Sequence, residues 1–310
     1  VRLGVLDIGS NTVHLLLIDA HPGAHPIPFA SFKRPLQLVS FLDDDGAISE
    51  TGQQELLSFV TAAIEFGREN AAEDMLAFAT SAIREASNGD DVLERLRAET
   101  GIELTELSGP EEAAATFLAV RRWYGWGSGT ILNLDIGGGS FELAIGADEK
   151  PDLAISVPLG AGRLTRDWLN ADPPSAGAVR DVRRYIRGTL ESPVAQFSTL
   201  GAPTIVAGTS KSFRSLARIA GAAPRAAGVF AHRELHLQDL RLWSSRLSAM
   251  ASDDRANLPG VSVLRAHQML AAALVAEAAM ENLGIETLRI CPWALREGLI
   301  LRRFDHLQAG

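Results

Sequence analysis

Asp135 ends an apolar run, Leu132-Asn133-Leu134-Asp135-Ile136, and is followed by Gly137-Gly138-Gly139-Ser140 and then Phe141-Glu142-Leu143. A strand that hands a carboxylate to three glycines suits phosphate chemistry. Without Cβ atoms the turn can point several backbone N–H groups at one anion. The pattern occurs twice: Leu6-Asp7-Ile8-Gly9-Ser10-Asn11-Thr12 lies 128 residues earlier, with Asp7 matching Asp135, Gly9 matching Gly137 and Thr12 matching Ser140. A strand, turn, strand unit duplicated at that distance predicts two similar domains facing each other across a cleft, each with a phosphate loop and an aspartate.

Other residues belong to the same chemistry. Met75 to Thr80 reads as a buried strand that breaks at Ser81 into a short helix, 82–87, a corner where unpaired N–H groups favour an anion, with Arg84 one turn inside. Pro203 to Ala207 is a second such strand, breaking at Gly208-Thr209-Ser210 into a helix with Lys211, Arg214 and Arg218 on one side. Lys211 there opposes the helix dipole unless an anion is bound. Ser108 and Glu111 have capping-box spacing, which explains Glu111 but not Glu112; Glu112 is the candidate to orient and deprotonate a water. Arg180, Arg183, Arg184 and Arg187 recur at helical spacing, either as a solvated face or as a track for a long polyanion. His232 and His236 lack a nearby third metal ligand, and Asp43-Asp44-Asp45-Gly46 reads as a solvated turn.

The elements that must position these residues alternate between strand and helix, an α/β pattern. A helix capped by Ser49 runs to about Asn70, a strand covers 102–107, a helix starts near Ala178, another spans 263–283, and strand 286–291 leads into a last helix through Arg303. At 310 residues the chain exceeds one typical core; the handover is expected at the Gly125–Gly129 hinge, giving domains 1–124 and 125–310, with the last helix packing back on the first. The net charge of −9 argues against nucleic-acid binding, which needs a broad basic surface. The apolar segment 269–280 is broken by Glu277 and too short for a bilayer, so no membrane partner is expected. One cysteine, Cys291, and a strand at the first residues lead to the expectation of a reducing cytoplasm and no signal peptide. A homodimer is the default assembly.

Taken together, the motifs Asp7-Ile8-Gly9-Ser10-Asn11, Ala79-Thr80-Ser81-Ala82-Ile83-Arg84-Glu85-Ala86-Ser87-Asn88, Ser108-Gly109-Pro110-Glu111-Glu112-Ala113, Asp135-Ile136-Gly137-Gly138-Gly139-Ser140, Pro158-Leu159-Gly160-Ala161-Gly162-Arg163-Leu164-Thr165 and Leu295-Arg296-Glu297-Gly298-Leu299 occur in one order along nearly the whole chain. In them the chain resembles the exopolyphosphatase/guanosine pentaphosphate phosphatase (Ppx/GppA) family, in its short two-domain form. The resemblance implies two ribonuclease H-like, actin-like ATPase domains around a central cleft. It implies an exopolyphosphatase that releases orthophosphate from the end of inorganic polyphosphate, with guanosine pentaphosphate as the alternative substrate and a non-catalytic polyphosphate or (p)ppGpp sensor as a further alternative. A kinase of the same superfamily fits the motifs less well. The catalytic glutamate falls on Glu112. Ser10, Asn11, Arg84, the 137–140 turn, Gly208 and Thr209 would surround phosphates, and Asp135, Glu142 and their counterpart Asp7 would hold a divalent ion, magnesium or else manganese, with potassium as a further ion. Two departures stand out: Phe141 replaces a common Thr, and Arg265-Ala266-His267-Gln268 lacks the acid often found after Arg-Ala.

Overall fold

The structure, a computed structural model, describes residues 1–9, 12–19, 28–36 and 38–308. Its contacts form two compact units, one made of residues 1–112 with the segment from Arg296 onward, the other of residues 113–295. The sequence reading put the handover at residues 124/125. By contacts it lies after Glu112, because Ala113, Phe117 and Val120 pack in one cluster with Ile131, Ala144, Ile205 and Ala207.

The first unit holds β1 (Arg2–Ile8), β2 (Thr12–Asp19), β3 (Pro28–Pro35), α1 (Glu50–Glu69), β4 (Asp74–Ala79), α2 (Ser81–Arg84), α3 (Gly89–Thr100), β5 (Leu104–Glu106) and the first turn of α4 (Gly109–Tyr124). The sheet order is β3-β2-β1-β4-β5; β1 and β2 form an antiparallel hairpin, while β1, β4 and β5 run parallel. Central β1 is almost wholly buried, as a strand covered on both faces must be. Ser49 caps α1 by accepting from Gly52 N–H, and Leu56, Phe59, Val60 and Ala63 form the face that closes the core.

The second unit holds β6 (Ile131–Ile136), β7 (Phe141–Gly146), β8 (Leu153–Val157), α5 (Ala161–Trp168), α6 (Ala176–Phe197), β9 (Ile205–Thr209), α7 (Ser210–Ile219), β10 (Glu234–His236), α8 (Leu237–Ser248), α9 (Ser252–Ala256), α10 (Val263–Ala266), α11 (Met269–Asn282) and β11 (Thr287–Ile290). Its sheet order is β10-β11-β9-β6-β7-β8, again with an antiparallel hairpin, β6–β7, beside parallel neighbours. The helix expected over 263–283 is two helices, broken at His267-Gln268, where Gln268 turns its buried side chain toward Gly162. α11 is buried from Met269 to Met280, and its one acid there, Glu277, is matched by Arg183 and Ser244. Among the described residues no helix is long and apolar enough to cross a membrane. The chain closes with α12 (Leu295–Gln308), which from Arg296 groups with the first unit, where Arg303 Nε donates to Asp74 Oδ2 at 3.1 Å.

Candidate functional site

In the first unit the parallel strands β1, β4 and β5 end side by side, the edge where open α/β sheets hold ligands. Gly9 follows β1, Thr80 and Ser81 follow β4, and Leu107 follows β5, with Thr80 N–H donating to Ile8 O and Leu107 N–H to Ala79 O. α2 starts at this edge and presents Arg84, whose Nη1 donates both to Leu107 O and to Glu112 Oε1. The two adjacent glutamates of α4 have separate fates. Glu111 is the cap: its Oε2 accepts Ser108 N–H at 2.8 Å and the Ser108 hydroxyl at 2.6 Å, and these bonds hold its carboxyl below the usual range. Glu112 is 8% exposed and turned to Arg84. Asp7 lies opposite His14 across the β1–β2 hairpin, with Arg296 Nε 3.5 Å from its Oδ2. Ser10 and Asn11 lie outside the described residues.

In the second unit Asp135 and Glu142 are cross-strand partners on β6 and β7, both buried. Antiparallel partners project to the same face with Cβ atoms about 4.5–5.5 Å apart, so two acids share one small volume. Thr209 donates its hydroxyl to Asp135 Oδ2 at 2.7 Å, and Ser156 donates to Glu142 Oε1 at 2.9 Å. Burial pushes the Asp135 carboxyl up; the bonds from Thr209 and Ser210 and the charges of Arg214 and Arg265 oppose it without prevailing.

The glycine turn leaves two of its N–H groups without an acceptor among the described residues. Its carbonyls are consumed internally: Gly137 O accepts Ala161 N–H, Gly138 O accepts Arg163 N–H, and Gly139 O accepts Gly160 N–H and Arg163 Nε. Gly137 N–H closes the turn on Ser140 O, whereas Gly138 and Gly139 N–H donate to nothing among the described residues. Two adjacent N–H groups without an acceptor could take an anion. Gly160 is required beside the turn, since a Cβ there would lie 2.2 Å from Gly139 C. The β9–α7 corner carries strain: Ser210 has φ +68°, costing roughly 1 kcal/mol for a non-glycine residue, and its hydroxyl is fastened to Ile136 O at 3.0 Å.

Several residues singled out in the sequence sit differently from their expected roles. Gly208 is inside β9, where Leu288 and Phe213 leave no room for a Cβ, so it serves close packing. Thr209 is fully buried and acts on Asp135, while Lys211 is exposed at the start of α7. The four arginines of α6 are not equally exposed. Half-buried Arg183 donates from Nη2 to Glu277 Oε2 at 2.9 Å, whereas Arg180, Arg184 and Arg187 are exposed and Arg184 pairs with Asp181. The reason is register: Arg183 follows buried Val182 and shares its side of the helix with Ile186 and Leu190. His232 pairs with Glu234 and His236 with Thr287, so the two imidazoles have separate partners. Sequence reading missed Ser156, Arg163, Gln268 and Arg296; of these only Arg163 and Arg296 stood within recognised motifs.

Asp135 and Glu142 could hold a divalent ion, since they offer hard oxygen donors and are buried as cross-strand partners. Among the described residues no group of three or more acidic, His or Cys side chains is placed to hold one. One or two carboxylates, completed by water and phosphate oxygens, is the ligand set magnesium takes.

The chain was compared with known proteins. The profile of the Ppx/GppA phosphatase family matches residues 17–307. Exopolyphosphatase 1 of Mycobacterium tuberculosis is 52% identical over 305 residues, covering 98% of this chain and 89% of that protein. A guanosine-5'-triphosphate,3'-diphosphate pyrophosphatase of Vibrio parahaemolyticus is 28% identical over 309 residues, covering 98% of this chain but 59% of that protein. Among solved structures, an exopolyphosphatase from Cytophaga hutchinsonii superposes with a TM-score of 0.87 at 25% identity, over 99% of this chain and 98% of the other.

Proposed function

This chain belongs to the Ppx/GppA phosphatase family, an α/β protein of two actin-like units, and from that premise we propose that it is an exopolyphosphatase. The reaction is attack of water on the terminal phosphorus of inorganic polyphosphate. A new P–O bond forms, the anhydride bond to the bridging oxygen breaks, orthophosphate leaves, and the chain is shortened by one phosphate. Glu112 takes the proton of the attacking water, and Arg84 first orients that carboxylate and then meets the phosphoryl oxygens. In the second unit, the Gly138 and Gly139 N–H groups would hold a phosphate of the substrate without reorganising. A divalent ion on Asp135 and Glu142, with magnesium the best match, would neutralise phosphoryl charge. Exposed Arg180, Arg184 and Arg187 would attract the rest of a long anion by local potential despite the negative total.

The observation that carries this reading is the divergence of the two neighbouring glutamates. Glu111 is fully used as a helix cap, whereas Glu112 is turned inward to an arginine at the ligand edge of its sheet. A structural role for one leaves the other available for chemistry.

The test is orthophosphate release from polyphosphates of graded length and from guanosine pentaphosphate, side by side, with and without magnesium. Release from polyphosphate that requires the ion is the expected result. Release from guanosine pentaphosphate alone would replace the substrate assignment, and binding of either without release would make the protein a sensor.

A further inference from the structure

The two Asp-Ile-Gly hairpins place an aspartate and its cross-strand partner in the same register. Asp7 faces His14 on β1–β2, and Asp135 faces Glu142 on β6–β7. The backbone device is the same, but the charge differs. The second hairpin brings two carboxylates together in a buried volume. The first brings one carboxylate and one imidazole, and a third group joins them from the far end of the chain. Arg296, in the first turn of α12, sets Nε 3.5 Å from Asp7 Oδ2 and donates from Nη1 to His14 Nδ1. An arginine has no lone pair to offer, so His14 accepts through Nδ1 and carries its proton on Nε2. Both Asp7 and Arg296 are mostly shielded, with side chains 21% and 25% exposed.

We propose that Arg296 is a built-in cation: it takes, on the first hairpin, the place a divalent ion takes on the second, so the chain binds one such ion on Asp135 and Glu142 and none on Asp7. The proposal rests on the reading of Asp135 and Glu142 as the ion's ligands. Physically, a guanidinium is charged at every accessible pH and spans two adjacent acceptors with a planar fork, so Asp7 is neutralised whatever the metal supply. The two aspartates thus have different neighbours, an imidazole and an arginine on the first hairpin and a second carboxylate on the second. Arg296 is thus a positioning residue. Without it, Asp7 and neutral His14 would form an oxygen and nitrogen donor pair able to take a divalent ion.

Equilibrium dialysis of the whole purified protein against Mn2+ counts the ions. The expected result is one ion per chain for the wild type, none for Asp135→Asn, one for Asp7→Asn and Arg296→Lys, and two for Arg296→Met. Two ions or none on the wild type, loss of the ion in Asp7→Asn, or a folded Arg296→Met that still binds one would each overturn the proposal. Should Arg296→Met not fold, Asp7→Asn decides by itself, unchanged binding supporting the proposal and a lost ion refuting it. Orthophosphate release plays no part in this count, so a wrong substrate and a wrong ion count are separable.

Discussion

The hairpins β1–β2 and β6–β7 share register, a buried first strand and an aspartate one residue before its end, yet they settle the charge of that aspartate in opposite ways. On the first, Arg296 reaches Asp7 from α12. On the second, Asp135 keeps a raised pKa because burial outweighs two hydroxyl bonds and two distant arginines. A duplicated scaffold can therefore preserve a carboxylate for its position while its surroundings treat its charge differently.

The sharpest break between the two units should appear in turnover. Glu112→Gln and Asp135→Asn are both expected to lower orthophosphate release by roughly 10² to 10⁴-fold, the scale of losing a general base or an electrostatic stabiliser. Only Asp135→Asn should also abolish the rise in Tm that magnesium gives the wild type. Near-normal turnover in Glu112→Gln would reject its role, and a magnesium-induced rise that survives Asp135→Asn would reject the ion site.

A second contrast concerns stability in chelator, measured by urea unfolding at neutral pH. Asp7→Asn should destabilise by about 1–3 kcal/mol, because it leaves Arg296 shielded without its acid. Asp135→Asn should stabilise by about 1 kcal/mol, because an amide still accepts from Thr209 but needs no desolvation of a charge. The sign follows from linkage. A carboxyl whose folded pKa is raised contributes most below its unfolded pKa and loses that contribution as pH rises through the folded value, so ionised Asp135 is a cost at neutral pH. Changes of the same sign at both positions would erase the distinction between the hairpins.

The smallest effect is a titration confined to the second unit. Burial, with Arg255 and Arg265 nearby, pushes the His267 imidazole below its usual value near 6.5, with Asp172 opposing. A depressed folded pKa means that this stabilisation is complete above about pH 6.5 and is lost as pH falls through the folded value. His267→Gln should flatten that part of the Tm against pH curve. An unchanged slope would assign the acid sensitivity to other groups.

Much of this was legible in the residues. Strand-ending Asp-Ile-Gly runs, the Ser49 cap and the Ser108–Glu111 box are local, because each depends on backbone geometry within a few positions. Helix periodicity placed α6 and put its four arginines on one face, but could not show the ion pair that draws Arg183 to Glu277. Spacing shows which residues share a face, not whether that face meets solvent or Glu277. The expected 263–283 helix is two helices, broken at His267-Gln268, where buried Gln268 lies against Gly162, a residue more than a hundred positions away.

By itself, the order of residues determined the α/β class, the duplication and the family to which the chain belongs, since these rest on periodicity, glycine positions and motif order. Only tertiary structure decided that Thr209 serves Asp135, that Arg183 pairs with Glu277, and that Arg296 stands beside Asp7. Those pairings join residues 74, 94 and 289 positions apart. Electrostatic partners at such separations are chosen by packing, which no local pattern encodes.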